Sequence, residues 1–273
     1  MGNSRYISYL NIIDHLNVNN GDLILLSSDI VKLICVCREN NEIFNPNKFI
    51  DSIINKIGVD GTLILPTYNW DFCNGITFDY NKNISKTGSL SNVALKRNDF
   101  TRTLHPIYSH AVHGSASEYL CSVNNISAFG PDSVFAYLHE KNAKQIFIGP
   151  TEKFWYTRAY TAIHYIEENN NVKYRFHKYF TAPYINKNGT KNIKTYSMHV
   201  RDTNFKDSEG NELASQVNPI ISDLLIKKNI YKKYTINGVY IGIIDMYDLK
   251  NILENDLSNN GNLIHFIPNY LRR

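Results

Sequence analysis

The segment YTRAYTAIHYIEEN, residues 156–169, sets an imidazole and a carboxylate three residues apart, at His164 and Glu167. On a helix, residues at that spacing share a face, so the two groups can meet or look into one cavity. A histidine titrating near neutral pH can take a proton from a nucleophile, and a nearby carboxylate can orient it or hold an incoming amine. Ala159, Ala162, Ile163 and Ile166 recur beside them at i, i+3, i+4 and i+7, the spacing of a core-facing stripe. The pair therefore flanks a buried face, where the wall of a cleft would hold it. A packed histidine beside a solvated glutamate is the plain alternative, and the pair alone does not separate the two.

The elements that must position such a pair follow from periodicity. Ser4 predicts the cap of a helix carrying Tyr6, Leu10, Ile13 and Leu16. The apolar runs Asp22–Ser27, Thr62–Pro66 and Gln145–Ile148 read as buried strands. Helices are expected over Ile30–Cys37, Phe49–Ile57, Ser89–Arg97 and Ser133–Lys141. Strands alternating with helices predict an α/β fold, a central sheet flanked by helices. Beyond residue 170, aromatics alternate at Tyr174, Phe176, Phe180 and Tyr184, and Asn188–Gly189 and Asn237–Gly238 mark two hairpins. An antiparallel, hairpin-rich C-terminal portion is expected there, with helices near Leu213–Lys227 and Met246–Leu253. No linker or repeat divides the chain. Residues 1–273 read as one unit, in which 1–170 carry the α/β portion and 171–273 complete the fold.

Composition narrows the class. The 273 residues are 43% hydrophobic, enough for a sizeable core. A mean hydropathy of −0.33 and no long apolar run argue against a membrane span. The N-terminus, MGNSRYISYL, has no apolar leader segment, so a cytoplasmic protein is expected. Cys35, Cys37, Cys73 and Cys121 show no zinc-like spacing, so reduced thiols and no metal are expected. Lys and Arg outnumber Asp and Glu only 29 to 25 and form no dense stripe, which argues against nucleic acid. A slight basic lean suits anionic small ligands instead. Dinucleotide, P-loop, HExxH and GxSxG signatures are all missing, as is a hexapeptide repeat.

A series of motifs upstream gives the helical pair its context. In order they are GTLILPTYNWDF (61–72), FDY (78–80), ISKTGSL (84–90), RTLHPIYSHAVHG (102–114), FGPDSVFAYL (129–138), IFIG (146–149) and YTAIHYIEE. The series resembles the aminoglycoside 3-N-acetyltransferase family, whose members carry GTLxxPTYxW, FD, PSxxGxL, RSLHPxxS, CGPxSPFxxL and TTLHxxE in turn. The resemblance covers roughly residues 20–170 and continues weakly beyond. It implies that family's fold and an acyl group moved from a coenzyme A thioester, acetyl-CoA or another acyl-CoA, to a sugar amine. It makes His164 the candidate base, with Glu167 orienting it or holding the amine. It places Ser27, Ser28, Ser85, Lys86, Thr87, Arg102, His105 and Ser109 on the coenzyme side. Tyr68, Asp71, Asp79 and Tyr160 fall on the acceptor side. Cys73 in the same loop allows a covalent route, but no base stands beside it, and direct transfer is expected. The family's Asn-Thr-Thr reads Tyr160-Thr161-Ala162 here, which predicts a remodelled amine pocket.

The chain's basic balance favours an anionic acceptor, so a nucleotide-linked amino sugar for surface polysaccharide synthesis, such as O-antigen, is the first expectation. An aminoglycoside acceptor, conferring antibiotic resistance, is the second. An acyl-CoA thioester hydrolase and a non-catalytic coenzyme A-binding module follow. A homo-oligomer is left open.

Overall fold

Three apolar runs form the centre of the fold as parallel neighbours: β1 (Leu23–Ser28), β2 (Thr62–Pro66) and β6 (Lys144–Gly149). The computed structural model describes residues 6–149, 160–206, 210, 220–259 and 263. The other strands are β3 (Phe78–Asp79), β4 (Thr101–Arg102), β5 (His110–Gly114), β7 (Arg175–Ile185), β8 (Lys191–Arg201), β9 (Tyr231–Ile236) and β10 (Val239–Asp245). The helices are α1 (Val31–Glu39), α2 (Pro46–Ile57), α3 (Ser89–Ala94), α4 (Ser117–Ser122), α5 (Val134–Glu140), α6 (Tyr160–Asn169), α7 (Ile220–Lys227) and α8 (Met246–Ser258).

The main sheet has the order β4-β5-β2-β1-β6-β10-β9, and a smaller sheet has the order β3-β7-β8. Strand pleating sends Leu25, Ile64 and Phe147 to one face and Leu26, Leu63 and Ile148 to the other, so each face has its own core. A sheet covered on both faces explains why these strands are apolar runs rather than alternating ones. This is the mixed α/β architecture expected from the sequence.

Local chemistry fixes the boundaries. The Asn45 side chain accepts from the Asn47 and Lys48 amides and Pro46 opens α2, while Gly58, at φ 65°, ends it. Asn237 and Gly238, at φ 49° and 73°, form the two-residue turn between β9 and β10. The loop at Asn188–Gly189 is longer, running over residues 186–190.

The N-terminal expectation fails. Residues 6–11 form no helix, and only Ile12–His15 make a 3-10 turn. The Tyr6 and Ser8 hydroxyls donate to the Glu42 carboxylate, and the Asn237 amide clasps the Ile7 backbone in both directions, at 3.1 and 2.6 Å. Tertiary bonds hold the segment as a strap, although its apolar residues are helically spaced. Strands β3, β4 and β5 and helix α4 went unforeseen. Of the helix expected near Leu213–Lys227, residues 213–219 lie outside the described residues.

Candidate active site

The chain leaves β1 toward β2 on one side, while β6 lies on the other. Ligands of open α/β sheets bind at such a switch point, beyond the carboxyl ends of the strands. A cavity of about 470 Å³ lies there. Ser27 and Ser28 at the end of β1, Pro66 at the end of β2, Thr87 and Gly88 before α3, and Thr161 in the first turn of α6 all line it. Gly88 adopts φ 129° and ψ 154°, a region closed to other residues. Past Ile30 and Ser89 lies a second, apolar groove of about 420 Å³, lined by Ile34, Phe44 and Val93 and reaching Arg38. Hydroxyls, exposed backbone and an apolar floor suit the amide-and-methylene arm of a coenzyme A thioester.

The other coenzyme-side candidates lie behind this wall. Arg102 is buried under Phe78, with its guanidinium 4.9 Å from the ring centroid. Its N–H groups donate to the Asn83 carbonyl at 2.5 Å, to Ser109 Oγ at 3.0 Å and to the Tyr80 and Thr67 carbonyls at 3.4 Å. Ser109 Oγ donates in turn to the Thr67 carbonyl. Both residues therefore hold the 67–83 loop in place and offer nothing to the cavity. His105 is also buried, and its Nδ1 accepts from the amides of Ile107 and Tyr108. Ser85 is buried and bonded to Thr87 Oγ1 at 3.0 Å, so it supports a lining residue without lining the cavity itself.

Burial drives the pKa of His105 and His110 down to about 3, and that of His139 to about 4. In the unfolded chain these imidazoles titrate near 6.5. Below that pH the unfolded state binds protons that the folded state refuses, so stability is present above about pH 6.5 and lost as the pH falls. Urea titrations should show about 2 kcal/mol lost per histidine between pH 6.5 and 5.

On the acceptor side, Tyr68 lines the cavity, and its hydroxyl meets Nε2 of the fully buried His110 at 3.2 Å. Asp71 is ion-paired with Lys86, so each neutralises the other at the surface. Asp79 accepts from the Asn81 amide at 3.0 Å and faces Lys82 at 3.6 Å, as the anchor of a turn rather than a cleft residue. Tyr160 opens α6. Desolvation pushes the Cys73 thiol up to about 11, so it is protonated at neutral pH and a poor nucleophile.

Helix α6 begins at the cavity with Thr161 and carries His164 one turn later. His164 is half-buried and edge-on to Phe129, with ring centroids 5.4 Å apart. Glu167 is fully buried. The two do not join directly, because Arg175, the first residue of β7, stands between them. Its Nη2 donates to His164 Nε2 at 2.9 Å, its Nη1 to the His199 carbonyl at 3.1 Å, and its Nε lies 2.6 Å from Glu167 Oε2. That last contact is off-axis for a hydrogen bond and acts through charge. Tyr174 donates to the other Glu167 oxygen at 2.8 Å. Desolvation, then Arg175 and His199, hold the His164 pKa well below the usual histidine range. Desolvation raises Glu167, against the lowering effect of Arg175 and Tyr174.

Sequence reasoning missed Arg175 and Thr161. Thr161 was legible, because it stands one helical turn ahead of His164. Arg175 carried no signal, since nothing in an aromatic strand reveals which helix it faces. Among the described residues, no helix is long and apolar enough to cross a membrane. Within the same residues, no group of three His, Cys, Asp or Glu side chains is placed to hold a metal.

Hydroxyls on one wall of a strand-end cleft, and an imidazole-bearing helix starting at the other, form a site in which an α/β transferase can bring a thioester and a nucleophile together. The family model described as aminoglycoside 3-N-acetyltransferase matches residues 38–250, and the chain belongs to that family. It is an acyl-CoA-dependent N-acyltransferase, with a coenzyme A thioester as co-substrate. Among similar solved structures, AAC-IIIb binary with CoASH has a TM-score of 0.72 at 13% identity, over 93% of this chain and 96% of that one. Sisomicin-bound AAC-VIa has a TM-score of 0.70 at 18% identity, over 93% and 97%. Aminoglycoside acetyltransferase AAC(3)-Xa has a TM-score of 0.70 at 16% identity, over 90% of each chain. At such identities the likeness is one of fold. No curated protein matches the chain significantly.

Proposed function

We propose that the protein transfers the acetyl group of acetyl-CoA to an amino group of an aminoglycoside. One observation carries this reading: the serine and threonine wall and the first turn of the His164 helix meet at a single cavity. Family membership supports the aminoglycoside, and so does the similarity to AAC-VIa, whose structure has sisomicin bound. The earlier preference for a nucleotide-linked sugar rested on net charge, which says little about local potential. Asp29 lines the cavity, so a carboxylate stands where a cationic sugar would enter.

In this reading Ser27, Ser28, Thr87 and the Gly88 backbone hold the pantetheine arm, whose thioester presents its carbonyl near Thr161. The amine attacks the carbonyl carbon, the oxygen gathers negative charge, and the C–S bond breaks as that charge returns; the proton lost from nitrogen ends on the departing thiolate. The enzyme must therefore supply a donor to that oxygen and an uncharged amine. The C-terminal portion belongs to the same unit, because β7 supplies Arg175.

Thiol release from acetyl-CoA tests the acceptor. Release that depends on kanamycin-like amines is expected. Release only with a nucleotide-linked amino sugar would overturn the aminoglycoside in favour of the polysaccharide reading. Amine-independent release would mean hydrolysis, and none with any amine a binding module. Gly88→Ala should raise the KM for acetyl-CoA at least several-fold, since a side chain there costs about 1–3 kcal/mol of backbone strain. An unchanged KM would remove Gly88 from the coenzyme wall.

A further inference from the structure

We infer that a second cavity, at the β4 edge of the main sheet, binds a phosphate-type oxyanion between the buried Arg102 and Lys187 of the β7–β8 hairpin. This site lies apart from the strand-end cavity and is independent of the acetyl-transfer reading.

The cavity holds about 340 Å³, and its lining includes three cations, Arg97, Arg102 and Lys187, but no carboxylate. None of its residues also lines the strand-end cavity. Arg102 and Ala111 are cross-strand partners, so their side chains leave the sheet on one face, and both residues line this space.

Arg102 is only 5% exposed. Its hydrogen bonds end on the Tyr80, Asn83 and Thr67 carbonyls and the Ser109 hydroxyl, all of them neutral. The donors are spent, but the charge is not: among the described residues no carboxylate pairs with this guanidinium. Arg175, by contrast, has Glu167 at 2.6 Å. A buried cation is costly until an opposite charge joins it, and the Phe78 ring at 4.9 Å offsets only part of that cost. Desolvation accordingly lowers the Arg102 pKa to about 10.

The other walls supply donors. Lys187 is exposed and, among the described residues, also has no carboxylate partner. Its backbone carbonyl accepts from the Asn81 amide at 3.1 Å, which ties the hairpin to the cavity wall. The Thr101 hydroxyl and the Asn98 amide belong to the lining and make no side-chain hydrogen bond among the described residues. Arg97 adds little, because Asp51 and Asp99, outside the lining, each hold its guanidinium at 2.7 Å. An ammonium, a hydroxyl and an amide around an unmatched buried charge suit an oxyanion, whose several oxygens accept from different directions.

Calorimetric titration of the whole protein with inorganic phosphate, at constant ionic strength in KCl, tests this with and without saturating coenzyme A. Saturable binding at one site is expected, weakened at least about tenfold in Lys187→Ala, as for loss of one charge-assisted bond. Arg102→Met should abolish it. If that variant does not fold, the amide NMR signals of Asn98 and Thr101 in the wild type should shift on adding phosphate. Binding indifferent to coenzyme A identifies free phosphate as the ligand. Displacement by coenzyme A that is lost in Lys187→Ala identifies a phosphate carried by the coenzyme. No saturable binding above the KCl baseline overturns the site, and so does phosphate binding that Lys187→Ala leaves unchanged.

Discussion

His164→Ala should lower turnover at least about a hundredfold while leaving acetyl-CoA binding intact. Removing one donor aimed at a developing oxyanion costs about a hundred- to a thousandfold, and losing a general base costs a similar amount. The size of the loss therefore does not distinguish the roles, but substitution by asparagine does. An asparagine amide can place an N–H where Nδ1 lies, while the Nε2 position is left empty. Recovery of about tenfold in His164→Asn over His164→Ala would mark a retained donor, and no recovery marks a general base. A base cannot be rescued that way. Turnover near wild type in His164→Ala would end any catalytic role and leave the proton transfer to the substrate. Steady-state kinetics with fluorescence titration of acetyl-CoA separate turnover from binding.

Loss of Glu167 should be the most destabilising change in the site. The residue is fully buried, with one oxygen taking the Tyr174 hydroxyl and the other 2.6 Å from Arg175. A buried pair contributes little relative to an apolar substitute, yet breaking it strands a charge and costs about 3–5 kcal/mol. Glu167→Ala leaves Arg175 uncompensated and should lose that much in urea unfolding. The simultaneous change of Arg175 to Met should recover a large part of it. A loss under about 1 kcal/mol would mean that water reaches the guanidinium and that the pair is not desolvated. Glu167 thus stands as the counter-charge of Arg175, which also reaches His164.

Much of the frame was legible because burial writes itself into residue type. The runs LILLS, TLILP and QIFI had to be strands covered on both faces, and Asn237–Gly238 had to turn. The strap at residues 6–11 was not legible, since its helical spacing was overruled by bonds to Glu42 and Asn237, remote in sequence. Direction was the hardest quantity to read. RTLHPIYSH looked like a phosphate-binding segment because it is rich in donors, but Arg102 spends its donors on carbonyls and Ser109 on the same loop. Ser27, Ser28 and Thr87 line the cavity because strand ends and helix starts point there by topology. The His164–Glu167 pair was found from spacing, and its linker was not, because Arg175 arrives from another sheet.

The pairing of β10 with β6 joins residues nearly a hundred positions apart, Ile243 against Ile146. While the ribosome is still making the last quarter of the chain, β6 has a bare edge, and its backbone amides and carbonyls are open to any passing strand. Every motif by which the family is recognised has already emerged by then. A gene product cut short after residue 230 would carry all of them and still offer its central sheet as a template for aggregation. Expression of this enzyme should therefore depend more on the intactness of its 3′ coding end than the position of its motifs suggests.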